Sequence, residues 1–199
     1  DRCVYCSLSS GDLLVGMRRD NTFTGKVMRY DNTGKHKQTI PQSDNPIFDL
    51  YKIPCFLTEN NNGDVVMSDR VYVLCDIERY SVVVTSREGV HRFSYTGHPS
   101  GFRLWPRGIC TDVMSHILVS DIYTHTVQML DRDGQFLSFV FTRHTPGMNY
   151  TPGGLSYDVT THAVCVGSLD DSRMSVCRHI NRHLHLAGKS HCVFLIKCN

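Results

Sequence analysis

The sequence predicts an all-β protein that is assembled from repeated units of about 45 residues. The first of three observations behind this prediction is that the chain aligns with itself at a nearly constant spacing. The second is that short apolar runs rich in Val, Ile, Leu, Phe and Thr alternate with polar turns, without a sustained 3.6-residue period. The third is a glycine that ends one of those turns in three copies, as a left-handed hairpin position favours.

The first half of the unit is clearest in residues 106–121, which read PRGICTDVMSHILVSD. Residues 54–69, PCFLTENNNGDVVMSD, align with it without a gap, and we align residues 152–167, PGGLSYDVTTHAVCVG, in the same way. A further copy opens the chain with CVYC at 3–6 and GDLLVG at 11–16. Four copies therefore account for most of the chain.

The second half of the unit repeats as well. It reads VMRYDNTG at 27–34, VVVTSREG at 82–89 and VQMLDRDG at 127–134. The fourth copy, at 174–179, keeps the strand pattern but lacks the glycine turn. Each unit thus predicts four short strands, and in the third unit we place them at 108–111, 117–120, 126–130 and 136–141.

Four strands per unit at this spacing are typical of the blades of a β-propeller. Leucine-rich and ankyrin repeats are shorter, and helical repeats would need amphipathic helices that the sequence lacks. We place the propeller in residues 1–183 and expect the tail, residues 184–199, to be poorly ordered. The units are residues 1–40, 54–97, 106–141 and 152–183.

The second unit is longer than the others between its second and third strands. The segment 70–81, RVYVLCDIERYS, stands where the third unit has only the residues between Asp121 and Val127. The ordinary interpretation is a surface-loop insertion, because lengthening a loop costs little entropy. The alternative is a binding loop or an additional edge segment.

The composition excludes several classes of protein. A net charge of +2 is too small for nucleic-acid binding by bulk charge. No apolar run approaches the roughly 20 residues that cross a bilayer, and no signal peptide is recognisable, so we expect a cytoplasmic protein without a membrane partner. Because the chain begins with Asp1 rather than Met, we expect it to be part of a longer protein or a processed product.

The nine cysteines predict structural thiols in a reducing compartment. An odd number cannot pair completely within one chain, and most lie among apolar neighbours, as Cys110 and Cys165 do. Cys3 and Cys6 have the spacing of a zinc or redox pair, but no second such pair occurs, which favours a structural role. The ligand-type residues near the C-terminal end match no established zinc spacing: His179, His183, His185, His191, Cys192 and Cys198.

Three segments then identify a family. NGDVVMSD at 62–69, RFSYTG at 92–97 and PRGICTD at 106–112 resemble NHL-repeat propellers, and more closely the expanded molluscan proteins of the tripartite-motif type. The opening CVYC and GDLLVG resemble the same proteins. The likeness covers roughly residues 1–183 and extends through loops as well as strands.

The resemblance implies a six-bladed propeller at the C-terminal end of a longer chain. In complete members a RING finger, B-box modules and a coiled coil precede it; the RING carries ubiquitin-ligase activity, and the propeller recruits the target. Only four units are found here, so the four blades close on themselves, or further sequence completes the ring, or the arc stays open. We expect an incomplete or open ring and favour completion by further sequence. Exposed blade faces and edges then favour self-association.

The sequence indicates no catalytic or metal site and no cofactor. GxSxG, HExxH and P-loop motifs are absent. Asp69, Asp121 and Asp158 recur at what we take to be equivalent places, which favours hydrogen bonding at turns and strand ends rather than catalysis.

We predict a binding surface on the face that holds the second-to-third strand loops and the blade linkers. Its candidate residues form two basic clusters, Arg18 with Arg19 and Arg103 with Trp105 and Arg107, since Arg and Trp are frequent interface anchors. The alternative is that both clusters are solvated loops and that Trp105 packs between blades.

The resulting prediction is a non-catalytic protein-recognition propeller, the substrate-recruiting part of a tripartite-motif ubiquitin ligase. Charges on the loop face nearly cancel, which favours a protein partner over phosphate-dominated binding. Two other hypotheses stay open: RNA binding through the two basic clusters, and a metal-dependent propeller hydrolase.

Overall fold

The computed structural model describes residues 3–19, 24–41, 50–73, 77–178 and 192–197. They form an all-β structure in which no described helix is long and apolar enough to cross a bilayer. The strands of the described residues are β1 (Cys3–Cys6), β2 (Leu13–Arg19), β3 (Thr24–Tyr30), β4 (His36–Ile40), β5 (Pro54–Glu59), β6 (Val65–Val73), β7 (Ile77–Thr85), β8 (His91–Tyr95), β9 (Pro106–Thr111), β10 (Ile117–Asp121), β11 (Thr126–Leu130), β12 (Phe136–Phe141), β13 (Pro152–Asp158), β14 (Ala163–Ser168), β15 (Arg173–Arg178) and β16 (Cys192–Lys197).

Each group of four consecutive strands forms one antiparallel sheet in chain order, and we number these sheets as blades one to four. The first strands pack in series, β1 on β5, β5 on β9 and β9 on β13, so they surround a common axis. Among the described residues, β13 and β1 do not pack closely on each other. The predicted β-propeller of four visible blades in an incomplete ring is confirmed.

The blades stack because their central strands are apolar on the faces that meet, which for blades two and three means both faces. Val66 packs with Val82 and Ile117 between blades two and three, whereas the adjacent Met67 packs with Leu14 between blades one and two. Successive side chains of a strand point to opposite faces, so one β-strand supplies two cores. Each fully buried Val or Leu contributes about 1.5–3 kcal/mol. A third core, between blades three and four, contains Leu118, Val127, Met129, Val164 and Val166.

The glycine turns lie where the repeat predicts them, between the third and fourth strands of blades one to three. Gly34, Gly89 and Gly134 have φ values of 83°, 87° and 86°, which L-residues with a side chain rarely adopt. At Gly134 a Cβ would also collide with the ring of Phe93 in the preceding blade. The glycine therefore permits both the turn and the close approach of blades two and three.

The gap-free alignment of the fourth copy needs a correction. Pro54 pairs with Asp69, and Pro106 pairs with Asp121. The gap-free alignment predicts Gly167 as the partner of Pro152, but Pro152 pairs with Ser168. The turn between the first two strands of blade four is therefore one residue longer. Asp158 follows Pro152 at the same distance as Asp112 follows Pro106, so it occupies the place of Asp112 in blade three rather than that of the strand-end aspartates.

The strand-end aspartates hold each linker to the blade that follows it. Asp69 accepts a hydrogen bond from the backbone N–H of Ile53 at 2.7 Å, and Asp121 accepts one from Trp105 at 2.9 Å. In blade four Asp170 takes this role, with Thr151 N–H at 2.9 Å. The structural interpretation of Asp69 and Asp121 agrees with this geometry, although the equivalent in blade four is Asp170 rather than Asp158.

The insertion of the second blade forms strand rather than loop. β6 continues to Val73 and β7 begins at Ile77, and the two pair without interruption from Val65 to Val73. This ribbon extends the hairpin beyond the blade. A loop prediction fails here because the inserted residues are themselves strand formers such as Val, Tyr and Ile.

The C-terminal region supplies the last strand of blade four. Residues 192–197 pair with β15 as β16, within the segment for which the sequence predicts a poorly ordered tail. Residues 184–191 and 198–199 lie outside the described residues. The unit boundary at residue 183 stays a prediction.

Asp121 carries the most extensive of these carboxylate networks. It is fully buried, and its Oδ1 accepts the backbone N–H groups of Trp105 and Tyr123 at 2.9 and 3.0 Å. Its Oδ2 accepts the Thr124 hydroxyl at 2.6 Å and the Gln128 side-chain amide at 3.0 Å. Four donors consequently depend on one carboxylate.

Replacing Asp121 with Ala should lower the free energy of unfolding by about 2–4 kcal/mol, because buried donors lose their acceptor. Asp158→Ala is the matched control, since the exposed Asp158 serves only its own turn. Its loss should stay near or below about 1 kcal/mol. Equal losses in urea denaturation would show that Asp121 is no more than a turn residue.

Asp69 gives a pH dependence with a defined sign. Burial raises the pKa of Asp69 from 3.8 to about 6, against the opposing effect of backbone N–H groups at Lys52, Ile53 and Arg70. Between about pH 4 and 6 the folded chain therefore holds a proton that the unfolded chain releases, so stability falls as the pH rises through this window. Asp69→Asn should flatten that fall.

The measurement is the free energy of unfolding in urea at several pH values across this window. Asp158→Asn is the control, because the Thr161 hydroxyl and backbone N–H groups lower the pKa of Asp158 instead. That variant should leave the fall between pH 4 and 6 in place. An unchanged slope in Asp69→Asn would contradict the assignment.

Candidate functional site

One face of the propeller carries the second-to-third strand hairpins together with the blade linkers, and we call it the loop face. The backbone joins the two kinds of segment directly: Gly25 N–H donates to Tyr51 at 2.7 Å, and Ile122 N–H donates to Trp105 at 3.0 Å. The predicted sharing of one face by hairpins and linkers is therefore present in the structure.

The two predicted basic clusters lie at successive junctions of the loop face. Arg18 and Arg19 are not in a loop but at the end of β2, opposite Gly25 and Thr24, near the junction of blades one and two. Arg103 and Trp105 lie in the linker that precedes β9, and Arg107 is the second residue of that strand. The second cluster thus lies at the junction of blades two and three.

Trp105 packs on a residue that the sequence did not single out. Its ring stacks on Tyr80 with centroids 5.3 Å apart and an interplanar angle of 24°. The guanidinium of Arg70 lies 5.8 Å from the centre of the Tyr80 ring. Tyr80 and Arg70 are paired residues of the inserted ribbon, so the ribbon supplies one wall of this site.

Trp105 keeps a free side as well. The residue is 40% exposed, and the neighbouring Phe102 is 61% exposed. Arg103 is exposed, and the guanidinium of Arg107 lies 5.6 Å from the ring centre of Phe56. Trp105 therefore combines blade packing with exposure, the two roles between which the sequence could not decide.

We call this set the aromatic–arginine surface: Arg70, Tyr80, Phe102, Arg103, Trp105 and Arg107. Among the described side chains of segments 70–71, 79–81, 97–107 and 121–125, Asp121 carries the only carboxylate. That carboxylate is buried and occupied by four donors. The described part of the surface is consequently cationic.

An axial cavity of about 560 Å³ lies among the first strands of the four blades. Its ionisable groups are engaged: Glu59 binds Arg29 at 2.6 Å and accepts a hydrogen bond from Ser7. Asp112 accepts the backbone N–H of His116 at 2.9 Å and contacts the imidazole of the same residue at 2.8 Å. These carboxylates serve the packing and turns of the blades.

The Cys3–Cys6 pair does not converge on one point. The two residues are three apart on β1, so their side chains point to opposite faces of the strand. Cys3 packs in the core between blades one and two, where burial raises its pKa to about 12, whereas Cys6 is exposed. Both are free cysteines.

The C-terminal candidates for metal binding lie mostly outside the described residues, which include only Cys192 of the six. Within the part of the chain that the structure describes, no group of three or more His, Cys, Asp or Glu side chains is placed to hold a metal ion. Whether the tail residues bind a metal ion is therefore not decided by the described residues, and their assignment stays a prediction.

A smaller cavity of about 280 Å³ lies at the junction of blades three and four. His125, at a left-handed φ of 54°, places Nδ1 2.9 Å from the Thr151 hydroxyl. Arg143 and Asp170 also line the cavity. No motif in the sequence marks these residues, because linker and hairpin approach one another only in the folded chain.

Comparison with known proteins supports the fold. No protein-family description matches the chain, and no curated protein matches it. Streptogramin B lyase has a similar structure, with 13% identity and a TM-score of 0.61 over 89% of this chain and 51% of that chain. A chain of the nidogen–laminin complex is similar at 15% identity, with a TM-score of 0.60 over 89% and 60%.

The β-propeller domain of Cps50 (Swd1) from Myceliophteria thermophila is also similar, at 12% identity and a TM-score of 0.56 over 88% of this chain and 50% of that chain. The chain thus spans between half and three fifths of these three structures. At such identities the likeness concerns the fold alone, and the described residues form part of a β-propeller.

Proposed function

We propose that this chain is a non-catalytic protein-recognition propeller that binds its partner on the loop face. The observation that carries the proposal is Trp105, which is stacked on Tyr80, 40% exposed and next to the exposed Arg103. Tryptophan and arginine are the residues most enriched at energetically important positions of protein interfaces. A rigidly held, half-exposed tryptophan binds without a large loss of side-chain entropy.

The state of the ionisable groups supports binding over catalysis. General acid–base catalysis needs a group that can exchange a proton with a substrate. Glu59, which lines the axial cavity, is instead held by Arg29 and Ser7, and Asp112 holds the backbone and the imidazole of His116 in its own turn. Streptogramin B lyase is an enzyme by name, so catalysis is the contrasting hypothesis for a propeller of this shape.

We further propose that the chain is the substrate-recruiting part of a tripartite-motif E3 ubiquitin ligase and works in the cytoplasm. The support is the resemblance of residues 62–69, 92–97 and 106–112 to NHL repeats. In this proposal a RING module elsewhere in the protein transfers ubiquitin, and the propeller selects the target. One structure of similar fold belongs to a complex of two proteins, nidogen and laminin.

RNA binding is the second candidate, and the geometry favours it less. Two of the arginines on the aromatic–arginine surface lie over aromatic rings, Arg70 over Tyr80 and Arg107 over Phe56. A protein that binds RNA mainly through phosphates needs several cations along a groove. Three arginines on a surface with one exposed indole fit a compact protein contact better.

A photo-reactive amino acid at position 102 tests the docking face in a cell extract. Phe102 is 61% exposed beside Trp105, whereas Arg132, 69% exposed in a turn of blade three, provides the control position. We expect protein adducts at position 102 that survive ribonuclease and fall at least about fivefold when Trp105→Ala is added. We expect few adducts at position 132.

Other results of this experiment would redirect the proposal. Adducts that ribonuclease removes would favour RNA as the partner. Equal labelling at positions 102 and 132 would show that the aromatic–arginine surface is not the docking site.

The recruiting role has its own test. Fusion of a RING module to the chain should transfer ubiquitin to the protein that is cross-linked at position 102. Trp105→Ala should reduce that transfer in parallel with the cross-linking, whereas Arg132→Ala should leave it unchanged. If Trp105→Ala left ubiquitin transfer unchanged, the transfer would not depend on the aromatic–arginine surface.

A further inference from the structure

We propose that the segment bound by the aromatic–arginine surface is an extended acidic peptide of the partner protein. In this arrangement carboxylates of the peptide bind Arg103 and Arg107, and an apolar residue between them covers Trp105 and Phe102. The inference rests on the proposed protein-recognition function and specifies the chemistry of its partner.

Charge is the first argument. Arg103 and Arg107 are both exposed, and the described side chains of the surrounding segments carry no exposed carboxylate. Asp121, the acidic residue among them, is buried beneath Trp105's backbone N–H. Arg103 and Arg107 therefore have no exposed carboxylate beside them among these described side chains, and an anionic partner is the complementary one.

The geometry of Arg107 is the second argument. Its guanidinium carbon lies over the Phe56 ring, 5.6 Å from the ring centre. A guanidinium has five N–H donors in a planar fork, which can bind a carboxylate in bidentate fashion. A lysine at this position would supply a point charge without that fork.

The aromatic floor is the third argument, and it favours a peptide over RNA. One face of Trp105 is covered by Tyr80 at 5.3 Å, which leaves the other side for one ligand group. Single-stranded RNA binds by stacking successive bases on several free rings and by contacts to many phosphates. A peptide needs only an apolar residue on the indole and acidic residues beside it, which is what this surface offers.

The fixed backbone of this site strengthens the argument. Trp105 donates its N–H to Asp121 at 2.9 Å and accepts Ile122 N–H at 3.0 Å, so the linker does not have to order when a ligand binds. Preorganisation reduces the entropic cost of binding an extended segment. The surface is thus suited to a short peptide rather than to a large folded face.

Trp105 is the only tryptophan of the chain and reports on its own site. We would titrate the chain with a fluorescently silent acidic peptide of alternating Glu and Leu-Pro steps, and with the matched peptides in which Gln or Lys replaces every Glu. A single-stranded oligouridine of similar length is the fourth probe. The measurement is the emission of Trp105 at low and at moderate salt.

The acidic peptide should change the emission of Trp105, and the Gln peptide should bind at least about tenfold more weakly. Raising the salt from ~0.05 to ~0.3 M should weaken the acidic peptide about fivefold, because exposed charge pairs are screened. Arg103→Ala and Arg107→Ala should each weaken it about five- to tenfold, and Arg107→Lys should not restore it fully. The control Arg132→Ala should leave the affinity unchanged.

The outcomes separate this inference from the function on which it rests. If the acidic peptide binds no better than its Gln counterpart, the acidic specificity is wrong, while cross-linking at position 102 still decides the docking function. If oligouridine binds more tightly and with a steeper salt dependence, the ligand is RNA. If none of the four probes changes the emission of Trp105, the acidic-peptide proposal is wrong. If position 102 also yields no protein adduct, both proposals are wrong.

Discussion

A hydrogen bond from the linker backbone to an aspartate at or just beyond the end of the second strand is the interaction on which the arrangement of the blades depends; Asp69 and Asp121 are buried, whereas Asp170 is exposed. In blade three Asp121 accepts the backbone N–H of Trp105, and Asp69 and Asp170 do the same for Ile53 and Thr151. Each linker is thereby held against the blade that it enters. Because a proline follows each of these three residues and begins the first strand, the carboxylate also sets where the axial strand starts.

Burial of apolar side chains between adjacent sheets is the second interaction that holds the blades together. The central strands of blades two and three supply apolar residues to both of their faces, and those of blades one and four to the core that each shares with its described neighbour. Between blades one and two the buried Arg29 links Asp12 and Glu59, at 3.4 and 2.6 Å, which adds a directional contact to the apolar core. The outer face of blade one exposes Val4, and self-association through such faces stays a prediction.

The repeat in the sequence predicted the blades, the glycine turns and the structural role of Asp69 and Asp121, because these features recur at fixed spacing. The inserted ribbon was predicted as a loop, since length alone does not distinguish a longer loop from longer strands. Tyr80 could not be recognised as part of the site, because its contact with Trp105 requires the ribbon to stand beside the next linker. Asp158 was assigned to the position of Asp121, but it occupies that of Asp112, where each aspartate accepts a backbone N–H of its own turn.

The candidate site arises where the repeat departs from its own pattern. Ile53, Trp105 and Thr151 occupy the same backbone position in three successive linkers, and each donates its N–H to a strand-end aspartate. Ile53 and Thr151 are 2% and 6% exposed, whereas Trp105 is 40% exposed and rests on Tyr80 of the ribbon. The shared hydrogen bond fixes the backbone at all three positions, so a change of side chain alters the surface without disturbing the fold. Trp105 and the longer β6–β7 hairpin beside it are absent from the other blades, which fold without them. Such additions to a repeated scaffold are expected of a binding site.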